Sequence, residues 1–462
     1  MENKQKLRPF GFRDKSSYMI GNMGNDLMFL LSSMYLLKFY TDVMGVSAAI
    51  VGTMMMVSRF VDAFTDVAMG QIVDRAPTKA KGKFAPFLRI VAGPVTIASF
   101  LMYAVWFKNM GMTFKVIWMF ATYLLWGSVF YTGINIPYGS MASAITDDPK
   151  ERAELSNWRT IGTQFVLVLI AVVLPTFIYY TNDAGQSVLS GTNMAIAAGV
   201  FSILSFICFM VCYYMTTERV KFETKNEKFN FVQLVKGLAT NKALIGIVVV
   251  SLVSLLGQMS YSNMQGYIYP NYFGNPGAIS TTNFLSIIVT LGCATVVVPL
   301  SAKIGRKNLA IISAVLQAVS FIALYFIKTT NIWVWIVIYS VSLVGTGIFS
   351  LITWAMLADV IDDTEVVTGE RADGAVYSVY SFARKCGQGF SSGIAGAMLS
   401  MIGYSAATAF NPEVVSKIYD VTCLVPGVAY GLLIIVIIFL YPLSKKRVEA
   451  NTAELRRRRA AK

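Results

Sequence analysis

Three carboxylates stand in sequence that is otherwise apolar: Asp26, Asp62 and Asp66. A charge in such surroundings is costly and is commonly kept for function. Asp62 and Asp66 are four positions apart, which puts both on one face of a helix, and Arg59 lies about one turn before Asp62 on the same side. Two close carboxylates in a low dielectric resist ionising together, so the pair either holds a proton or recruits a cation. The chain contains no histidine, so a relay through imidazole is excluded and any protonation switch must use carboxylates. The hydroxyls of Thr65 and Thr132 would add neutral oxygens of the kind a hard monovalent cation takes, with Asp62 and Asp66 as metal ligands if that cation is Na+. The plainer alternative is an ion pair of Arg59 with one aspartate that only fixes helix packing, and the two are compatible.

Other polar groups in apolar sequence suggest a binding cavity. The stretch 131–140, Tyr-Thr-Gly-Ile-Asn-Ile-Pro-Tyr-Gly-Ser, interrupts a helix with Gly133, Pro137 and Gly139 and carries Asn135. Broken helices at membrane depth are tolerated where they line a cavity, although a simple proline kink would look the same. The stretch 380–389 places Arg384 and Lys385 side by side, followed by small residues that permit close helix approach. Asp26, Asn135, Arg159 and Lys385 would offer directed hydrogen bonds, while Tyr138, Trp354 and Tyr380 would present aromatic faces to the apolar side of a sugar ring. Taken singly, each aromatic reads equally well as an ordinary core or lipid-facing residue. There is no Walker A loop, nucleophile elbow or histidine-based metalloprotease motif. An enzyme and an organic cofactor are therefore not expected, and coupling energy would come from an ion gradient.

The elements that must position these residues are membrane spans. Of the 462 residues, 55% are hydrophobic and 14% charged, against about 25% charged in a typical soluble domain. Apolar runs long enough to cross ~30 Å of hydrocarbon recur about twelve times. Their strongest parts are 18–40, 48–73, 90–107, 116–141, 161–180, 194–215, 243–261, 284–300, 309–327, 334–357, 375–401 and 421–443. The polar stretch 1–17 leads straight into the first run, which predicts a retained helix rather than a cleaved leader. The charged interruption 218–236 splits the runs into two sets of six, predicting bundles over 1–217 and 237–443, a cytoplasmic linker between them and a basic tail over 444–462. Basic loops after the second and eighth runs, and Arg159 against Lys385 in the fifth and eleventh, suggest a repeat that would bring those two cations toward one cavity. Five carboxylates between 359 and 370 read as a solvated loop in preference to a cytoplasmic gate with the basic loop 75–83.

The net charge of +14 does not point to nucleic acid. Lysine and arginine crowd the termini and alternate loops, leaving only Lys38, Lys108, Lys115, Lys328 and Lys417 on the other side, so both termini are expected in the cytoplasm of an inner-membrane protein. The run 456–459 reads as a tail held near anionic lipid. All five cysteines fall in apolar segments, where they act as small hydrophobes. A monomer in the bilayer is expected.

The motifs resemble the glycoside–pentoside–hexuronide:cation symporters, a family typified by melibiose permease and the glucuronide permeases, over nearly the whole chain. The most specific stretch is Asp62-Ala-Phe-Thr-Asp66-Val-Ala-Met-Gly70-Gln-Ile-Val-Asp74 followed by Gly82-Lys83-Phe84. Tyr40-Thr-Asp-Val43, Ile136-Pro-Tyr138 and Arg384-Lys-Cys-Gly387 add to it. The resemblance implies an all-α major facilitator fold and import of a glycoside, pentoside or hexuronide with Na+ or H+. It also implies that Asp62, position 65, Asp66 and Thr132 form the cation site, that Asp26 and Arg159 hold the sugar and that Lys385 links the halves. Against the melibiose branch, Thr65 replaces an asparagine, Asn135 an aspartate, Asn25 a lysine and Gly139 a tryptophan. These changes leave ion and sugar open. Residues 135–140 and 384–388 look closer to the glucuronide permeases, where paired cations would suit a uronate carboxylate. Competing expectations are a cation-coupled transporter of an amphiphile such as a lysophospholipid, and a transport-inactive membrane sensor, against which the short loops and tail weigh.

Overall fold

In the computed structural model, which describes residues 8–79, 81–220, 241–369 and 373–460, each of the twelve apolar runs is helical over most of its length. In chain order these are α1 Phe12–Asp42, α2 Ala48–Arg75, α3 Ala85–Phe107, α4 Met112–Ile145, α5 Lys150–Ile178 and α6 Gly191–Met215. The second six are α7 Lys242–Tyr272, α8 Gly277–Ile304, α9 Arg306–Ile327, α10 Ile332–Thr368, α11 Asp373–Met401 and α12 Pro412–Leu440, and a tail helix, α13, covers Lys445–Ala460. Ten are long and apolar enough to span a bilayer; α1 and α11, 31 and 29 residues long, carry more polar side chains. Large apolar residues face outward, Val298, Phe326 and Phe439 each being more than 70% exposed. Water would not tolerate so much bare hydrocarbon, whereas lipid matches it. The chain is a multi-pass membrane protein.

Helix starts follow local chemistry. Asn241, Asn331 and Asn411 each accept a hydrogen bond from a backbone N–H two residues on, at 2.9–3.0 Å, capping α7, α10 and α12. The turn between α8 and α9 passes through Gly305, whose φ of +88° only glycine adopts without strain. Gly345 on α10 lets that helix close on α9, because a Cβ there would lie 2.5 Å from the carbonyl oxygen of Ser313. Small residues serve where helix backbones approach.

The chain separates into two compact units, Met1–Glu227 and Lys228–Lys462. Within the first, α1 packs on α5 and α6, α3 on α4 and α6, and α2 on α4. Within the second, α7 packs on α11 and α12, α9 on α10 and α12, and α8 on α10. Each pairing recurs six helices later, so the repeat suggested by the basic loops exists as a pattern of packing.

Three details differ from the sequence reading. Residues 179 and 180 leave the fifth run and form a strand, Tyr179–Thr181, paired antiparallel with Ser187–Leu189. Its turn is closed by the side-chain oxygen of Asn182, which accepts from the N–H groups of Ala184 and Gln186. The acidic stretch read as a loop is helical through Thr368, Glu370 lying outside the described residues. Within it Asp359 pairs with Arg306, and Asp363 accepts from Arg447 at 2.9 and 3.0 Å and from Asn451 at 2.8 Å, which fastens α13. Finally, the residues after α6 pin down the first unit. The Glu218 carboxylate accepts from the N–H groups of Lys83, Phe84 and Ala85 at 2.7, 3.0 and 2.7 Å, satisfying the otherwise open start of α3, and Arg219 pairs with buried Asp14 at 2.9 Å.

Candidate functional site

The carboxylate pair on α2 faces α4 where that helix changes pitch. Residues Leu125–Tyr131 form a π-helical turn, an irregularity that shifts side-chain register and is frequent at functional positions. It brings two hydroxyls onto the two acids. Ser128 donates to Asp62 at 2.6 Å, and Thr132 donates to Asp66 at 2.8 Å. Arg59 reaches the other oxygen of Asp62 at 3.4 Å and lies over the ring of Phe29, 5.1 Å from its centroid. Thr65 turns its hydroxyl onto the carbonyl of Asp62 at 3.2 Å, within its own helix. Asp62 is buried and Asp66 half-buried.

These groups make a set of hard oxygens with one arginine at its edge. A hydroxyl that gives its proton to a carboxylate still has lone pairs to offer, so Asp62 and Asp66 together with Ser128 and Thr132 offer oxygens of the kind that suit Na+ or, on a carboxylate, H+. Among the described residues no three His, Cys, Asp or Glu side chains converge, the arrangement expected for a more highly charged metal.

A second cluster joins α1 to α5 in the same unit. Asp26 accepts from Asn22 at 2.5 Å and from Thr163 at 2.6 Å; Asn22 in turn accepts from Nε of Arg159 at 2.8 Å. Arg159 also lies 5.8 Å from the ring centroid of Tyr138, which stacks on Tyr18 and donates to the Tyr18 carbonyl at 2.5 Å. Tyr138 is fully buried and presents no open ring face. Asn135 is half-buried and makes no hydrogen bond with the described residues.

The second unit holds the remaining candidates. A cavity of about 180 Å³ between α7, α9, α10 and α11 is lined by Trp354, Tyr380 and Arg384 among others. Lys385 is half-buried and does not line it. Ser128, Asn22, Thr163 and Arg384 are therefore the neighbours that the sequence reading left out of its site. Three of them carry a signal in hindsight: Asn22 precedes Asp26, Thr163 follows Arg159 and Ser128 precedes Thr132 by four residues, the spacing that puts side chains on one helix face.

Paired units of span-length helices with buried carboxylates and arginines inside define a membrane transporter of the major facilitator fold. The crystal structure of a D-xylose-proton symporter matches this fold with a TM-score of 0.63 at 14% identity, over 94% of this chain and 98% of that one. Residues 17–445 match the family model described as MFS/sugar transport protein, and the chain belongs to that family, in line with the resemblance to the glycoside–pentoside–hexuronide:cation symporters. A glucuronide carrier protein homolog of Escherichia coli (strain K12) is 31% identical over 96% of this chain and 95% of its own length. An isoprimeverose transporter of Lactiplantibacillus pentosus is also 31% identical, over 92% and 88%.

Proposed function

We propose that this protein is a secondary active symporter that imports a sugar, a glycoside, pentoside or hexuronide, together with Na+ or H+ by alternating access. The observation that carries this reading is the doubled contact between α2 and α4, in which Asp62 and Asp66 each take a hydroxyl hydrogen, from Ser128 and Thr132. Names of relatives, the glucuronide carrier homolog and the isoprimeverose transporter, support a sugar as cargo.

In this reading Asp62, Asp66 and Thr132 hold the ion, with Thr65 beside them. Asp26, Asn135, Tyr138 and Arg159 in the first unit, and Trp354, Tyr380 and Lys385 in the second, serve the sugar. Ion and sugar act on each other through a coupling free energy that is necessarily reciprocal. No organic cofactor and no bond-breaking chemistry are required. α1 and α11 complete twelve spans, both termini lie in the cytoplasm on the distribution of lysine and arginine, and one chain in the bilayer suffices.

The test is uptake of labelled glycosides and uronides into vesicles under an imposed sodium or proton gradient. Accumulation that depends on one gradient and disappears in Asp66→Asn supports symport and names the ion. If no sugar accumulates under either gradient, sugar import is wrong and protection against unfolding by lysophospholipid should be measured next.

A further inference from the structure

The cavity in the second unit contains an unmatched charge. Its lining among the described residues includes Gln258, Gln317 and several serines and threonines but no acidic side chain, and Arg384 is its one ionised member. Other arginines, within the first unit and at the helix ends of the second, have partners. Arg59 meets Asp62, Arg159 meets Asn22, Arg306 meets Asp359 and Arg447 meets Asp363. Arg384 makes no ion pair or hydrogen bond with the described residues; it lies 5.6 Å from the ring centroid of Trp354 and 5.9 Å from that of Tyr380.

That geometry matters for what the guanidinium can do. Aromatic rings stabilise a cation through its face and orient a planar group, while its N–H donors point outward in the guanidinium plane. Those donors match two oxygens of one acidic group, the bidentate pairing that arginine forms better than lysine. Tyr380 is fully buried behind this wall, where its ring backs the guanidinium, and its hydroxyl has no hydrogen-bond partner among the described residues. The volume of about 180 Å³ is below the several hundred Å³ of a complete small-molecule site, so the cavity suits one group of a ligand, not a whole glycoside.

We propose that this cavity is an anion subsite, in which Arg384, held by Trp354 and Tyr380, binds the carboxylate or sulfonate of an acidic sugar and thereby sets substrate specificity. The proposal rests on the sugar-import reading and deepens it by naming the charge of the cargo. It assigns the specificity role to Arg384 and not to its neighbour Lys385.

The experiment uses the purified full chain in lipid nanodiscs and three probes: p-nitrophenyl β-D-glucuronide, p-nitrophenyl β-D-glucoside and p-nitrophenyl α-sulfoquinovoside. Wild type is expected to bind at least one acidic probe about tenfold or more tighter than the neutral glucoside, equivalent to about 1.4 kcal/mol or more. Arg384→Gln is expected to bring the acidic-to-neutral ratio close to one, and Arg384→Lys to restore part of it. The glucuronide and sulfoquinovoside arms separate carboxylate from sulfonate as the bound group. Should Arg384→Gln fail to fold, Trp354→Leu, which removes one of the two supporting rings, must lower the same ratio. Equal or weaker binding of the acidic probes by wild type, no binding of any probe, or a ratio unchanged in the variants overturns the subsite. Gradient-driven uptake distinguishes the two readings: import of the glucoside without acidic preference leaves symport standing and removes the subsite, whereas acidic binding without uptake under any gradient does the reverse.

Discussion

Thr132 donates its hydroxyl hydrogen to Asp66 across 2.8 Å, one helical turn beyond the equivalent contact of Ser128 with Asp62. The two helices run in step, so one irregular turn in α4 serves both acids. Asp66→Asn keeps an oxygen to accept from Thr132 but loses the charge. It is expected to abolish gradient-stimulated uptake, a coupling typically worth ~1–3 kcal/mol, with thermal stability close to wild type. An unchanged sodium or pH dependence of uptake in the variant contradicts the assignment.

The hydroxyls near the pair are not equivalent. Ser128→Ala removes a donor from a buried carboxylate, a loss of about 1.5–3 kcal/mol for a hydrogen bond to a charged group. Thr65→Ala removes only a bond back to its own helix. Ion titrations of sugar uptake should therefore move tenfold or more for Ser128→Ala and by less than threefold for Thr65→Ala; the opposite order would place Thr65 on the ion.

Arg159 bonds through Nε to Asn22, which in turn steadies Asp26. Lysine has no planar fork with which to hold that geometry. Arg159→Lys should weaken sugar binding about tenfold to hundredfold, read as sugar-dependent protection in a thermal unfolding assay, while ion-dependent protection stays near wild type.

Glu218 gathers three backbone donors at the start of α3. Removing the acceptor leaves partly buried N–H groups unmet, at about 1–3 kcal/mol. Glu218→Ala should lower thermal stability clearly and Glu218→Gln less, since the amide keeps one oxygen. Equal stability of all three proteins would make the contact incidental.

Gly345 sits against the backbone of α9, where an added methyl meets the Ser313 carbonyl. Overpacking of this kind costs about 1–3 kcal/mol. Gly345→Ala should reduce the yield of folded protein and its melting temperature without changing which ion drives uptake.

Much was settled by sequence alone, because lipid leaves a chain few choices. Backbone groups in hydrocarbon must bond within their own segment, so apolar runs of span length become helices, and all twelve are helical over most of their length. The same economy made Asp26, Asp62, Asp66, Arg59 and Arg159 legible, since charge in such runs is rare. Side-chain spacing along one helix by itself puts Asp62 and Asp66 on a common face. What lay between helices was decided by the tertiary structure. The π-turn that delivers Ser128 depends on packing of α4 against α2 and α3 and has no local signature. Arg384 and Lys385 are adjacent in sequence and chemically alike, and only the rotation of α11 against α7 and α10 turns Arg384, not Lys385, toward the cavity. Whether Tyr138 offers an open aromatic face or is a core residue is decided by Tyr18, which stacks on it. The acidic stretch at the end of α10 read as a loop because its partners, Arg306 and Arg447, stand 53 and 84 residues away. A pattern along one chain segment reports which face a residue is on; what meets that face is set by segments far away in sequence.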